Sequence, residues 1–421
     1  MFIKNFEELA TTPQRKIVLE LIETALSSIQ SENLINQEVK VENDQLTIMD
    51  KIFDLSSFDR VFLIGFGKGS AKNSRLIEEK LGDRLTEGYV IDASPEEFRK
   101  IQFTQGTHPL PSQTNIDFVN NLLGKLQNLT EKDLVLVVIT GGGSALFESS
   151  NVSFDKLVEI NSALLKSGAN ITAMNTIRKH LSKVKGGGLA KHLYPAKIVT
   201  VIASDVPGND LSVISSGPMV KDETTIEDAI SSLSNLTRSD LVKKEDLTET
   251  PKEEKYFENV SNILVLSNVT ALNAMKRKAE ELGYNAEILS DKFEADAKLA
   301  GSDLVKQTTP NSILLIGGET TVKVKGSGAG GRNQALVLGA ILNIDDKTTI
   351  CSFDSDGWDN SHFAGAIGDI NTFNKAKEMN LNPQEFLNDD NSLEFFEKIG
   401  DGIETGRLPS NISDLIIVLK Y

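Results

Sequence analysis

The chain has 421 residues, 39% of them hydrophobic and 25% charged, with a formal net charge of −16. That length exceeds one ordinary core and predicts two α/β domains, and the balance of apolar and charged residues excludes global disorder. The acidity disfavours nucleic acids and anionic membrane surfaces as partners, and the single cysteine, Cys351, excludes an internal disulfide or a cysteine-built zinc site and fits a reducing compartment.

Residues 13–30 carry Pro near their start and apolar residues at Ile17, Leu21, Ala25 and Ile29, the period of a helix. No apolar run approaches bilayer length, and the N-terminal residues MFIKNFEELATTPQRK lack an apolar signal core, so a cytoplasmic location is expected. A short β-rich piece follows, then a buried strand from Arg60 entering the turn Gly65-Phe66-Gly67-Lys68-Gly69-Ser70, a helix to about Leu81, and a strand over 88–91. This order is the unit of a parallel sheet covered by helices. The turn is close to a dinucleotide fingerprint, with Ser70 in place of its third glycine and Asp92 as a late ribose-binding acid; it does not match the P-loop. The plain alternative is a tight turn with a surface lysine.

Asp133 to Thr140 reads as a strand opening onto Gly141-Gly142-Gly143-Ser144, and Lys197 to Ala203 as a strand opening onto Ser204-Asp205-Val206-Pro207-Gly208-Asn209-Asp210. Between them lies a basic stretch with Arg178, Lys179, Lys183, Lys185, Lys191 and Lys197, no acid, and glycines at 186–188. A solvated face is the ordinary reading of such a run; the glycines favour an anion site. Residues 221–258 turn polar and are read as surface helix plus linker, which places the boundary between domains 1–240 and 241–421.

Strand–helix alternation then resumes, with strands over 262–267 and 312–316, the segment Gly317-Gly318-Glu319-Thr320-Thr321, a glycine loop from Gly326 to Gly331 before Arg332, and a helix over 333–342. A strand over 348–353 runs into Asp354-Ser355-Asp356-Gly357. Glycine loops beside basic residues suit phosphate, whose charge is dispersed over several oxygens and is met by backbone N–H groups. Any single Asp here is ordinarily a turn residue. Asp205 and Asp356 are singled out because phosphate chemistry needs a carboxylate for a hard cation such as Mg²⁺. His108, His180, His192 and His362 match no metal spacing, and Gly142-Gly143-Ser144 lacks the second glycine of a hydrolase elbow.

In order, the segments IGFGKGSA (64–71), THPLPS (107–112), DLVLVVITGGGSAL (133–146), MNTIRKHLSKVKGGGLA (174–190), SDVPGNDLSVISSGP (204–218), GGETTVKVKGSGAGGRNQ (317–334) and DSDGWD…AGAIGD (354–369) resemble the class II glycerate kinases, whose C-terminal half is the MOFRL domain. The resemblance spans almost the whole chain. It implies two α/β domains, the N-terminal one Rossmann-like with a mostly parallel sheet, and an active site in the inter-domain cleft. It implies ATP-dependent phosphorylation of D-glycerate at the 2-hydroxyl with Mg²⁺ or another divalent cation. Lys68 and Arg332 become the principal cationic catalytic residues. Gly67, Gly141, Gly142, Gly143, Ser144, Asn175, Arg178, Lys179 and Glu319 join the substrate- and phosphate-binding set. Asp205 and Asp356 hold the metal, or one of them accepts the hydroxyl proton. The late motif departs from the family's usual Gly-Thr-Asp-Gly followed by Asp-Gly-Pro.

Two rival functions stand beside this one. An NAD(P)H-dependent hydroxypyruvate reductase rests on the 65–70 turn and Asp92, and a non-catalytic nucleotide or anion sensor would make the Asp loops mere turns. The partners expected are small molecules, with no nucleic acid and no membrane. Sequence leaves the assembly open, a homodimer included.

Overall fold

The computed structural model describes residues 1–167, 171–234, 241–409 and 411–421. It forms two compact units, Leu34–Val265 and a second made of Met1–Asn33 with Leu266–Tyr421.

In the first unit, β1 (Val39–Glu42), β2 (Gln45–Ile48) and β3 (Lys51–Asp54) make a small antiparallel sheet. The main sheet contains β4 (Arg60–Phe66), β5 (Glu87–Asp92), β6 (Ile101–Gln105), β7 (Asp133–Ile139), β8 (Lys197–Ala203) and β9 (Val260–Leu266). Their order is β6-β5-β4-β7-β8-β9, with β4 parallel to both β5 and β7. Every residue of β7 is buried, which is why DLVLVVI reads as an unbroken apolar run rather than an alternating one. The first five positions follow the order of a doubly wound Rossmann-type sheet, and the connections diverge between β4 and β7. Helix Ser70–Leu81 lies close on β4 because Gly65 has no side chain: a methyl there would meet the Ser74 hydroxyl at 2.4 Å.

The second unit has a mixed sheet of β10 (Asn285–Phe293), β11 (Ser312–Gly318), β12 (Thr348–Asp354), β13 (Gly365–Gly368), β14 (Gly402–Ile403) and β15 (Asp414–Lys420). The order is β10-β11-β15-β12-β13-β14, with only β10 and β11 parallel among the registered pairs. The last strand of the chain thus occupies the middle of the sheet, which accounts for its apolar core LIIVL.

The compact units divide the chain differently from the boundary expected at 240/241, and Asp240 itself lies outside the described residues. Helix Pro13–Ser28, with Thr12 as N-cap and Pro at its first position, packs on helix Asn268–Glu281. Arg15 fixes it there. Its guanidinium donates to Asp369 at 2.8 Å, Asp401 at 2.8 Å and the Thr372 hydroxyl at 2.7 Å, all buried. The helical period at 13–30 was legible, but not which sheet the helix covers. The polar stretch read as linker is also structural, since Ala229, Leu233, Val242 and Leu247 share a small core with Ile160, Leu164, Ile177 and Leu181.

Candidate active site

In open α/β sheets ligands bind beyond the carboxyl ends of the strands, where the connections diverge. That position is the pair of turns after β4 and β7. The two turns are bonded to each other, with the Thr140 N–H donating to Phe66 O (3.1 Å) and the Lys68 N–H to Gly141 O (2.8 Å). Gly67 has φ of 110°, and any side chain on it would strike the Thr140 carbonyl at 2.4 Å. Gly142, at φ of 79°, lies against His108 and the end of the Lys68 stem, 2.9 and 3.4 Å from where a methyl would stand. The Lys68 side chain is exposed, and no ion pair or hydrogen bond of its ammonium is found among the described residues. Burial, and secondarily the charge of Lys68, lower the pKa of His108 and favour the neutral imidazole.

Asp205 abuts this turn, since a methyl on Gly141 would fall 2.1 Å from its Oδ2. The Ser144 hydroxyl shares a hydrogen bond of 2.9 Å with the Ser216 hydroxyl, which reaches Asn175 Oδ1 at 3.1 Å. Ser215 and Ser216 adopt left-handed backbone at φ of 49° and 61°, a strained pair for residues with side chains. Sequence reasoning quoted the segment holding these serines without singling them out; nothing in Ser-Ser-Gly-Pro announces positive φ at its serines. The structure therefore brings Gly67, Lys68, Gly141, Gly142, Gly143, Ser144, Asn175 and Asp205 into one neighbourhood and adds His108, Ser215 and Ser216.

The basic stretch behaves otherwise. Lys179 is buried and pairs with buried Asp222 at 3.0 Å, and Lys185 pairs with Glu148, both buried. Arg178 donates to Asn161 at 3.2 Å, and its pKa is lowered by burial. The glycines at 186–188 admit the protein's own neighbours: methyls there would strike Thr250, Phe257 and the Lys183 carbonyl at 2.8, 2.7 and 2.3 Å. We expect Lys179→Gln to lower unfolding free energy by about 1–3 kcal/mol, the cost of a poorly satisfied buried partner, with kcat unchanged. Denaturant melts and steady-state kinetics check this; a large kcat loss at wild-type stability would return Lys179 to the active site.

The second unit holds its own charged cluster. Arg332 opens helix Arg332–Ile341 instead of ending the loop before it. Its guanidinium binds Asp414 through Nε (2.5 Å) and Nη2 (3.0 Å), Glu319 through Nη1 (2.5 Å), and approaches Asp354 at 3.5 Å. Burial, then repulsion from Asp414 and Asp356, pushes the Asp354 carboxyl up to about 8. Asp359 caps the helix, accepting from the N–H groups of Asn333 (3.1 Å) and Gln334 (2.8 Å). Asp356 is half-buried and turned into its own loop, where Oδ1 accepts the Trp358 N–H at 2.9 Å. Sequence reasoning named Arg332, Glu319 and Asp356, quoted Asp359 within DSDGWD without singling it out, and did not name Asp414. Asp414 stands at the head of a strand with no motif around it.

The loop 326–331 has the same lesson as 186–188. Methyls on Gly326, Gly328 and Gly330 would strike Asp389, Asn391 and Ser392 at 2.2, 2.3 and 2.1 Å, and one on Gly331 would strike Asp359 at 2.1 Å. These glycines are needed for the loop to lie on the 389–392 turn. Among the described residues no group of three or more His, Cys, Asp or Glu side chains converges on a metal position. Acidic loops offering one or two carboxylates fit an ion of the Mg²⁺ type, which takes its remaining ligands from substrate phosphates and water.

A family model described as a domain of unknown function (DUF4147) matches residues 17–247, and the MOFRL family model matches 312–414. D-glycerate 2-kinase of Thermotoga maritima is 33% identical over 96% of this chain and 98% of its own length. Glycerate 2-kinase of Pyrococcus horikoshii is 34% identical over 96% of this chain and 97% of its own. The crystal structure of glycerate kinase from Thermotoga maritima superposes with a TM-score of 0.85 at 32% identity, covering 96% of this chain and 99% of that one. A shorter match, 32% identical over 86% of this chain and 87% of its own length, is named a putative hydroxypyruvate reductase in Agrobacterium vitis. No helix among the described residues is long and apolar enough to cross a membrane. With near-complete coverage at this identity, the chain belongs to the glycerate 2-kinase family, whose C-terminal part is the MOFRL domain.

Proposed function

We propose that the protein is a cytoplasmic enzyme that transfers the γ-phosphoryl group of ATP to the 2-hydroxyl of D-glycerate, giving 2-phosphoglycerate and ADP. The observation that carries this reading is the exposed Lys68 ammonium at the β4/β7 switch point, among glycine turns, in a chain similar over nearly its full length to D-glycerate 2-kinase. The new bond joins the hydroxyl oxygen to Pγ, the bond from Pγ to the β,γ-bridging oxygen breaks, and the hydroxyl proton passes to a carboxylate. Little covalent work falls to the protein, so catalysis is positioning plus charge stabilisation. Lys68 and Arg332 are assigned to the charge of the transferring group and of the glycerate carboxylate. The Gly141–Ser144 turn positions the substrate, and Asn175 orders it through Ser216. Asp205 and Asp356 are the candidates for metal ligand and proton acceptor. When bound, Mg²⁺ would neutralise phosphate charge.

The reductase alternative loses one of its two supports. Asp92, its ribose-binding acid, is buried and accepts the Ala71 N–H at 2.9 Å at the start of helix Ser70–Leu81. It serves the protein's own helix.

The expected result is ADP release from ATP, Mg²⁺ and D-glycerate, with the 2-phosphate ester resolved by phosphorus NMR and no NAD(P)H oxidation with hydroxypyruvate. Silence with D-glycerate and other hydroxy acids, together with NAD(P)H oxidation, would replace this reading with the reductase.

A further inference from the structure

The second unit contains a cavity of about 630 Å³ of which the preceding assignments use only Arg332. Sites for ligands of drug or cofactor size fall at ~300–1,000 Å³, so the space is ample for a nucleoside and far larger than a three-carbon acid needs. Val322, Leu338, Phe386 and Leu387 supply apolar walls, which suit a flat heterocycle and give nothing to a small hydroxy acid. Arg332 and Asp354 stand among its lining residues, so the cavity reaches the charged cluster.

All of its charges have partners, Arg332 included, which is held by Asp414 and Glu319. Lys298 is paired with Asp390 at 2.5 Å, and Asp390 also accepts the N–H groups of Lys325 and Gly326 at 2.7 and 2.8 Å. Asp359 holds the start of helix Arg332–Ile341. The helix end is therefore taken by a side chain, and an anionic ligand entering here reaches the Arg332 guanidinium by replacing Glu319, its most exposed partner at 44%. Apolar walls around a space of nucleoside size, with one guanidinium, are the demands of a base carrying a phosphate chain.

We propose that this cavity receives the nucleoside of ATP, its base between the Leu338 and Phe386 walls and its phosphates toward Arg332. The inference rests on the kinase reading and gives the nucleotide a place within it. Trp358, which also lines the cavity, is the only tryptophan of the chain, is 38% exposed, and carries the Arg407 guanidinium 4.1 Å from its ring centre. The tryptophan emission therefore has a single source, on the wall of this cavity.

The test uses the full chain. ADP, alone and in saturating D-glycerate, and inorganic tripolyphosphate are titrated separately against Trp358 fluorescence. ADP should change the emission saturably and tripolyphosphate weakly, and the ADP change should persist in saturating D-glycerate. Val324→Glu, at a position 68% exposed on the cavity wall, and Ala335→Leu, which narrows it, should each raise the KM for ATP about tenfold or more with the KM for D-glycerate unchanged. The exposed Val324 variant guards against a folding defect in the other. A kinase-active protein whose Trp358 emission ignores ADP, and whose two variants keep the wild-type KM for ATP, overturns the proposal. So does loss of the ADP response in saturating D-glycerate, which would put the acid and not the nucleoside in this cavity. Failure of the kinase reading is distinct: it is the absence of ADP formation with D-glycerate, and direct ADP binding at Trp358 then still decides for or against the cavity.

Discussion

Lys68→Ala is expected to lower kcat for glycerate phosphorylation by about 100-fold or more, equivalent to roughly 2.7 kcal/mol of transition-state stabilisation, with the melting temperature unchanged. The two halves of this expectation have separate grounds. The turn that presents Lys68 is held by main-chain bonds, from the Lys68 N–H to Gly141 O and from the Thr140 N–H to Phe66 O, and by the glycine at 67. None of these needs the lysine side chain, which is exposed. Truncation removes an ammonium and leaves the scaffold. The loss should fall on kcat, because a cation aimed at charge that grows during transfer contributes more in the transition state than in the ground state. Steady-state kinetics over both substrates, beside thermal melts of the same preparations, separate these effects. Turnover near wild type in a folded Lys68→Ala protein removes the residue from the catalytic set, and the switch-point assignment with it.

The elements legible in the sequence were those whose signal is local. The run DLVLVVIT gave β7, and Gly-Phe-Gly-Lys after an apolar run gave the turn that carries Lys68. The glycine-rich loops were legible as special backbone but were attributed to phosphate. At 186–188 and 326–331 the close neighbour is the protein's own chain, because a missing side chain records that something approaches and not what it is. Charge was misleading in the same way. Lys179 and Lys185 looked like an anion site until their acids, Asp222 and Glu148, came in from distant positions. The attachment of helix Pro13–Ser28 to the C-terminal unit rests on Arg15 reaching Asp369 and Asp401, and no window of sequence contains that pairing.

Arg332→Ala is a different experiment from Lys68→Ala, although both residues are assigned to charge stabilisation. Arg332 is structural as well. It is the partner of Asp414, whose side chain is 2% exposed, and the nearest cation to Asp354, at 12%. Removing it strands buried carboxylates, and breaking a buried pair from one side typically costs about 3–5 kcal/mol. We therefore expect Arg332→Ala to lose stability on that scale together with activity, so that its inactivity alone says nothing about catalysis. A second substitution resolves the ambiguity. Asp414→Asn removes the stranded charge while keeping its shape, and the amide oxygen can still accept from Asn333, which bonds Asp414 at 3.0 Å. The double variant Arg332→Ala/Asp414→Asn should regain much of the lost stability and remain at least about 100-fold below wild-type kcat. Asp414→Asn alone should stay folded, with its kcat reporting how far Arg332 depends on that carboxylate for its aim. Denaturant melts and steady-state kinetics on the four proteins form the cycle. If stability and turnover return together in the double variant, Arg332 serves only to neutralise Asp414 and Asp354, and the catalytic cation of the second unit must be sought elsewhere.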